Sequence, residues 1–337
     1  MRSNDSYNSR IYWQLPLLLY VVTWLTTTGF RFDFEDGGFI YQFFLSLMLN
    51  PFDGDLSVEV WQNFRQKFYQ GILFSVPLML ILTCHELGHF IQMKRYGVRS
   101  SLPYFIPMPV GPFGTLGAVI AMDGRIPNAR ALFDIGISGP LAGLIPTLFC
   151  LYYGIKWSYF VPVSLSGEMT FGNSLLFQYM TYWIFGTTPV DVILSLHPVG
   201  LAGWVGLFLT SLNLMPFGQL DGGHVFYALL GRRAINISWG FFYTVILLVI
   251  WFRLWHWSLI LILLAWIGIT HPPTANENVK LTPFRRILGW GILAFIILGF
   301  TPTPITINDP PQNIDPPRIY CFHAECQVET DFILCEL

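Results

Sequence analysis

Residues 71–95 read Gly71-Ile72-Leu73-Phe74-Ser75-Val76-Pro77-Leu78-Met79-Leu80-Ile81-Leu82-Thr83-Cys84-His85-Glu86-Leu87-Gly88-His89-Phe90-Ile91-Gln92-Met93-Lys94-Arg95. From Gly71 to Gln92 the only acidic or basic group besides the two histidines is Glu86. About 20 such residues suffice for a helix to cross a hydrocarbon core of about 30 Å. On that helix His85 and His89, four apart, share a face. Two imidazoles presented to one point suit a metal ion, and Glu86 beside them can take a proton from water. With 7 His in 337 residues, chance yields such an H-E-x-x-H pattern about 0.003 times. An unpaired carboxylate at mid-span would cost about 2.5–3.5 kcal/mol, so a purely structural role is expensive.

Outward from this stretch, the rest of the chain has the same character. It is 53% hydrophobic and 11% charged, where soluble domains carry about 25% charge. The 18 Lys and Arg against 20 Asp and Glu leave no cationic surplus for nucleic acid, so no nucleic-acid partner is expected. Further apolar runs at Ile11–Thr28, Arg130–Tyr153, Pro198–Met215, Ile235–Phe252, Leu254–Thr270 and Ile287–Phe300 bring the expectation to about seven transmembrane helices. Phe39–Leu49 and Leu175–Phe185 are too short to cross and read as interfacial or re-entrant pieces. With the N-terminus cytoplasmic, twelve of the basic residues fall inside: Arg2, Arg10, Lys94, Arg95, Arg99, Arg125, Arg130, Arg232, Arg233, Lys280, Arg285 and Arg286. The other six fall outside, and this bias sets the expected orientation. It also favours reading Phe241–Thr270, interrupted by Arg253 and His256, as a hairpin of two spans.

A hydrolytic zinc site takes three protein ligands and keeps a position open for water. Every Glu after Glu86 lies in a loop or the tail, which leaves Asp134, Asp221 and His224 as intramembrane sources of the third. His85 lies nine residues from Lys94 and Asp221 eleven from Arg232, so both sit about 14–16 Å from the cytoplasmic charges at 1.5 Å per residue. Asp134 is only four residues past Arg130, near a helix start, where the dipole favours a carboxylate. Depth therefore matches Asp221 to the histidines. Pro216, Gly218, Gly222 and Gly223 are expected to interrupt the span around it. Gly139 and Gly143 make a small-xxx-small packing face. His224 reads as a second partner of the Asp221 carboxylate, and His197, His256 and His271 as interface residues at span ends.

The pair of motifs His85-Glu86-Leu87-Gly88-His89 and Asn213-Leu214-Met215-Pro216-Phe217-Gly218-Gln219-Leu220-Asp221-Gly222 resembles the site-2 protease family of intramembrane zinc metalloproteases. Gly139-Pro140-Leu141-Ala142-Gly143 and Gly111-Pro112-Phe113-Gly114 resemble it as well. The resemblance implies one zinc per chain on His85, His89 and Asp221, with Glu86 as catalytic acid and base. It also implies substrate contacts from Asn213, Pro216, Gly111, Phe113 and Gly114. The implied fold is an all-α polytopic membrane protein with a three-helix catalytic core and a short β-like loop over Leu102–Met122, whose prolines forbid a regular helix. The implied form lacks a PDZ domain, since the stretch between the third and fourth spans, about 44 residues, is too short for one. The expected organisation is an anchor helix and outer loop over residues 1–70, a catalytic core over 71–231, C-terminal transmembrane helices over 232–300, and a Pro-rich, extended tail over 301–337. Cys321, Cys326 and Cys335 in that tail allow one disulfide on an oxidising face.

The function this implies is hydrolysis of peptide bonds within single-span membrane proteins, for regulated release of a tethered factor or clearance of membrane peptides. The expected partners are those substrates and the lipid bilayer, and the expected place an integral position in a membrane of the bacterial inner type. The alternatives are a non-catalytic protein that binds transmembrane helices and a metal transporter. Intact Glu86 argues against the first, since a metal site alone would not need it, and a transporter would keep its metal uptake in Glu86→Gln.

Overall fold

The computed structural model describes residues 5–33, 54–109, 113–122, 126–162, 169–186, 192–307, 328–329 and 332–333. Two long helices, α1 (Asp5–Asp33) and α2 (Gly54–Arg95), precede a β-hairpin of β1 (Tyr104–Pro107) and β2 (Thr115–Val119). Helix α3 (Ala129–Lys156) follows, capped by Asn128, whose side chain accepts from the amides of Arg130 and Ala131. Beyond it lie β3 (Tyr159–Pro162), β4 (Met169–Phe171), α4 (Leu175–Phe185) and β5 (Val192–Ser195). The chain continues through α5 (Pro198–Asn213), α6 (Asp221–Leu230), α7 (Arg233–Trp251), α8 (Ser258–Ile267), α9 (Pro283–Gly299) and β6 (Ile305–Ile307). Two-residue strands β7 (Val328–Glu329) and β8 (Phe332–Ile333) pair in the tail.

Among the described residues, Trp61–Arg95, Ala129–Lys156 and Arg233–Trp251 are long and apolar enough to cross a membrane. Pro198–Asn213 and Trp255–Trp266 are apolar but shorter. Helices α2, α3 and α5 share one core, in which Phe74, Leu78 and Leu82 meet Leu151, Ile155, Leu201, Trp204 and Val205. Backbones come close where side chains vanish: a Cβ on Gly154 of α3 would stand 2.1 Å from the Gly200 Cα of α5. A second core joins Leu132, Phe133 and Ile137 of α3 to Val225 and Phe226 of α6 and Ile292 of α9.

The strands sort the connections into two ends. β3 pairs with β5 and β4 with β6, all antiparallel, so the segment after α9 lies with the α3–α5 connection. The Trp257 indole donates to the Pro302 carbonyl (2.7 Å) at that same end. At the other end, Asn128 bridges Asn276 and the Arg130 guanidinium donates to the Lys280 carbonyl (3.1 Å).

Several expectations change. Residues 54–70, expected as outer loop, are helical and continuous with the rest of α2. No Gly or Pro falls between Gly54 and Gly71, and along one face Trp61 meets Phe64 edge-on and Phe64 stacks on Phe68, each at 5.8 Å, a 3–4 residue repeat. Residues 241–270 do fold as two helices about a turn, with α7 ending at Trp251, Arg253 at φ +55° and Phe242 of α7 in one buried cluster with Leu264 of α8, but α8 is ten residues long, shorter than a full span. Gly222 and Gly223 do not break a helix but lie in the first turn of α6. The break spans residues 214–220, and a Cβ on Gly222 would stand 1.8 Å from the Leu214 carbonyl. Residues 39–49, Gly111, Cys321, Cys326 and Cys335 lie outside the described residues.

Candidate metal centre

His85 and His89 sit one turn apart on α2, and Asp221 opens α6. The Asp221 Oδ2 lies 3.0 Å from His85 Nε2, its Oδ1 lies 3.1 Å from His89 Nε2, and the two imidazole nitrogens are 3.2 Å apart. His85, Glu86 and His89 are all buried, and Asp221 nearly so. The His89 Nδ1–H donates to the Ile135 carbonyl of α3 (2.7 Å), since a carbonyl can only accept. With that proton used, neutral His89 turns a lone pair from Nε2 toward the carboxylate and toward the other ring. With both rings neutral and the His85 proton on Nδ1, three electron-pair donors converge with too few hydrogens between them.

A cation at their centre resolves that conflict. A tetrahedral zinc with bonds of about 2.0–2.1 Å spaces its ligand atoms about 3.3 Å apart, close to the separations found here. These three residues are the group among the described residues that could hold a metal ion. Glu86 lies within electrostatic reach of all three.

The surroundings are shaped to this cluster. A Cβ on Gly139 would stand 2.0 Å from His89 Nε2, and one on Gly143 would stand 3.0 Å from the His85 Cβ. The small-xxx-small face of α3 is therefore packing, as expected, but packing against the ligand rings themselves. Gly88, between the histidines, abuts the Ser138 carbonyl in the same way.

Asp221 reaches the histidines because α5 stops at Asn213 and the chain turns before α6. The broken backbone finds partners in protein, as it must at membrane depth. The Gly218 amide donates to the Ile269 carbonyl (2.8 Å), and the Ser238 hydroxyl donates to the Pro216 carbonyl (2.7 Å). Gly218 has φ +41°, and a Cβ there would stand 1.9 Å from the Gly268 carbonyl. Asn213 closes α5, half-buried, and Pro216 lies within the turn. Both stand in the segment that leads to Asp221.

Phe113 is buried against Trp204 and Phe208, and Gly114 enters β2 with φ +73°. Phe113, just before β2, shares a buried cluster with Phe74 and Leu82, and Ile120 and Met122, just after it, share one with Met93. β2 thus passes the depth of His85 and His89.

Three residues depart from expectation. His224 makes no hydrogen bond to Asp221; its buried Nδ1 has no partner, and its ring meets His271 edge-on at 4.8 Å. His271 is buried rather than interfacial, because the segment after α8 folds back under α6 and lays it beside His224 and Tyr227. Asp134 is held by more than a helix dipole: the Arg285 Nε and Nη2 donate to its two oxygens at 2.8 Å each, and Tyr96 donates as well. Sequence reading also missed Glu277, which accepts from Arg232 and Tyr227.

The sequence model of peptidase family M50 matches residues 73–251, slightly over half of the chain. Among curated proteins, the probable chloroplastic zinc metalloprotease EGY1 of Arabidopsis thaliana is 32% identical over 161 residues, 46% of this chain and 29% of that protein. Its counterpart in Oryza sativa subsp. japonica is 31% identical over 164 residues, 47% of this chain and 28% of that protein. The probable chloroplastic zinc metalloprotease EGY2 of Arabidopsis thaliana is 27% identical over 169 residues, 48% and 29% of the two chains. The matched region thus spans less than a third of the length of these relatives. No solved structure matches the chain. The matched segment contains both imidazoles, the glutamate, the broken helix and the aspartate, and the chain belongs to peptidase family M50.

Proposed function

We propose that the protein is an intramembrane zinc metalloprotease that cuts single-span membrane proteins within or close to the bilayer. The observation that carries this reading is the convergence of His85, His89 and Asp221 beside a buried Glu86. His85, His89 and Asp221 would hold zinc, which when bound would supply Lewis acidity to a water and to the scissile carbonyl. Glu86 accepts the proton that the water gives up and returns it to the leaving nitrogen. Burial strengthens each of these electrostatic contacts and keeps bulk water from competing. His89 is held in its working tautomer by the Ile135 carbonyl.

A helical substrate hides its peptide bonds and must unwind before they can be cut. Among the described residues the sheet of β1 and β2 has two strands, which leaves one edge of β2 for an extended segment to join by strand addition. Asn213, at the end of α5, would hold the substrate backbone, with Phe113 and Gly114 shaping the approach. Proline substitutions across Thr115–Ala118 should abolish cleavage; undiminished cutting overturns this part.

We infer seven crossings, of which Trp61–Arg95, Ala129–Lys156 and Arg233–Trp251 have the length and apolarity for a span by themselves, with α1, α5, α9 and the 254–270 segment supplying the rest. The short α4, with Tyr179, Tyr182 and Trp183 exposed, suits an interfacial position. The end carrying Arg130, Arg232, Lys280 and Arg286 is assigned to the cytoplasmic side by the positive-inside rule. The tail, through β6, then faces the opposite side, in a membrane of the bacterial inner type or its organellar equivalent.

The test compares purified wild type with Glu86→Gln for zinc content and for cleavage of a panel of single-span substrates. Zinc retained with cutting reduced by several orders of magnitude is the expected result. Equal cutting by both ends the proposal. Metal uptake into vesicles that survives Glu86→Gln would favour a transporter instead.

A further inference from the structure

The run Thr26-Thr27-Thr28 near the end of α1 does more than finish an anchor. The Thr26 hydroxyl donates to the Gly114 carbonyl at 2.7 Å, 88 residues away, and that contact is shorter than its reach to the Thr23 carbonyl of its own helix, 3.0 Å. Gly114 stands where the turn enters β2; a Cβ there would lie 2.6 Å from both the Thr26 carbonyl and the Thr27 Cα. Farther along α1, the Tyr20 ring meets Phe105 of β1 edge-on at 4.9 Å. α1 thus touches both strands of the hairpin.

α1 is in turn locked to the helix that carries the imidazoles. The Thr28 and Ser75 hydroxyls lie 2.9 Å apart, and a Cβ on Gly71 would stand 2.4 Å from the Thr28 carbonyl. Thr27 and Thr28 are buried. The contacts form a closed triangle: α2 to α1, α1 to the Gly114 turn, and β2 back along α2 toward Met93. Inside the hairpin, the Thr115 hydroxyl donates to the Ile106 carbonyl and accepts from the Gly117 amide, tying the irregularity between Phe105 and Pro107.

We infer that Thr26 is a substrate-positioning residue: by fixing the Gly114 carbonyl, it sets where the open edge of β2 lies relative to His85 and His89. This rests on the reading of β2 as the strand to which substrate adds. One neutral hydrogen bond contributes at most about a tenfold factor, so the effect belongs in substrate affinity and not in the chemical step.

The test uses the full chain, zinc-loaded, in lipid nanodiscs, with Thr26→Val and Thr26→Ser. The probe is a fluorescent single-span peptide that wild type cuts, followed in parallel with amide hydrogen exchange, which needs no substrate. Thr26→Val should raise KM about tenfold with kcat changed less than twofold, and should speed exchange in residues 113–119 but not in α2. Thr26→Ser should restore both. The inference is overturned if valine changes neither quantity, if serine is as impaired as valine, or if valine loses zinc. If Glu86→Gln cuts as well as wild type, the proteolytic reading itself has failed. If Glu86→Gln is inactive and Thr26→Val is normal, only the positioning role has.

Discussion

Two carboxylates on neighbouring elements meet basic side chains, and the difference between them separates a site from a strut. Asp134 faces donors: two guanidinium N–H groups at 2.8 Å and a phenol, each hydrogen matched to an oxygen. Asp221 faces two imidazole nitrogens at 3.0 and 3.1 Å, and the His89 ring spends its Nδ1–H on the Ile135 carbonyl, so that when neutral it has only a lone pair to turn toward the carboxylate. The first arrangement is complete as it stands. The second is complete only with a cation, and that mismatch marks it as chemistry. Proximity of opposite charges alone would rank the two alike.

The largest effect should come from removing the unmatched carboxylate. Asp221→Asn should lower cleavage by about a thousandfold or more and strip zinc, as read by elemental analysis beside a substrate assay. Without metal, the same substitution should leave the melting temperature unchanged or higher, because an amide can donate where the carboxylate could not. A clear loss of stability in the metal-free protein would erase the contrast with Asp134.

Next in size is Gly139→Ala, which puts a methyl 2.0 Å from where His89 Nε2 now lies. Zinc affinity measured by chelator competition should fall about 10–100-fold, the range seen when ligand orientation is disturbed. Gly291→Ala on α9, with nothing within 4 Å of the added carbon, should leave it unchanged.

Asp134→Asn should instead cost stability of about 1–2 kcal/mol, because it leaves a half-buried guanidinium without its charge partner. Denaturation in detergent micelles measures this, and zinc content should hold. The smallest effect concerns Tyr96, whose phenol is pushed up, by burial first and then by its bond to Asp134. Its contribution is complete below about pH 10, the ordinary phenol value, and is lost as the pH rises past it. Tyr96→Phe should therefore be less stable than wild type near neutrality by about 1 kcal/mol or less, with the gap narrowing in alkaline titrations. A gap that widens with pH would contradict the donor role.

What the sequence disclosed and what it withheld follow from range. His85, Glu86 and His89 were legible because helical spacing alone brings them together. Asp221 was legible by depth, since distance along a helix from the nearest basic cluster is countable. The pairing of Arg285 with Asp134, 151 residues apart, left no local trace. Nor did the burial of His271, which depends on a linker folding back under α6. Glycines at 139 and 143 announced close packing but not what they pack against. The helix over residues 54–70 was missed because its charges obscured an aromatic repeat that outlasts the apolar run.

The turn between Asn213 and Asp221 has its amide and carbonyl groups answered by Ile269 and Ser238, residues that belong to the α7–α8 pair and the strand of chain beyond it. A fragment trimmed to the three packed helices would expose that turn to lipid, with Gly218 deprived of its acceptor. The smallest piece of this chain able to hold its aspartate in place therefore ends no earlier than Ile269, and modular cutting or grafting of the motif-bearing helices has to carry the later hairpin along.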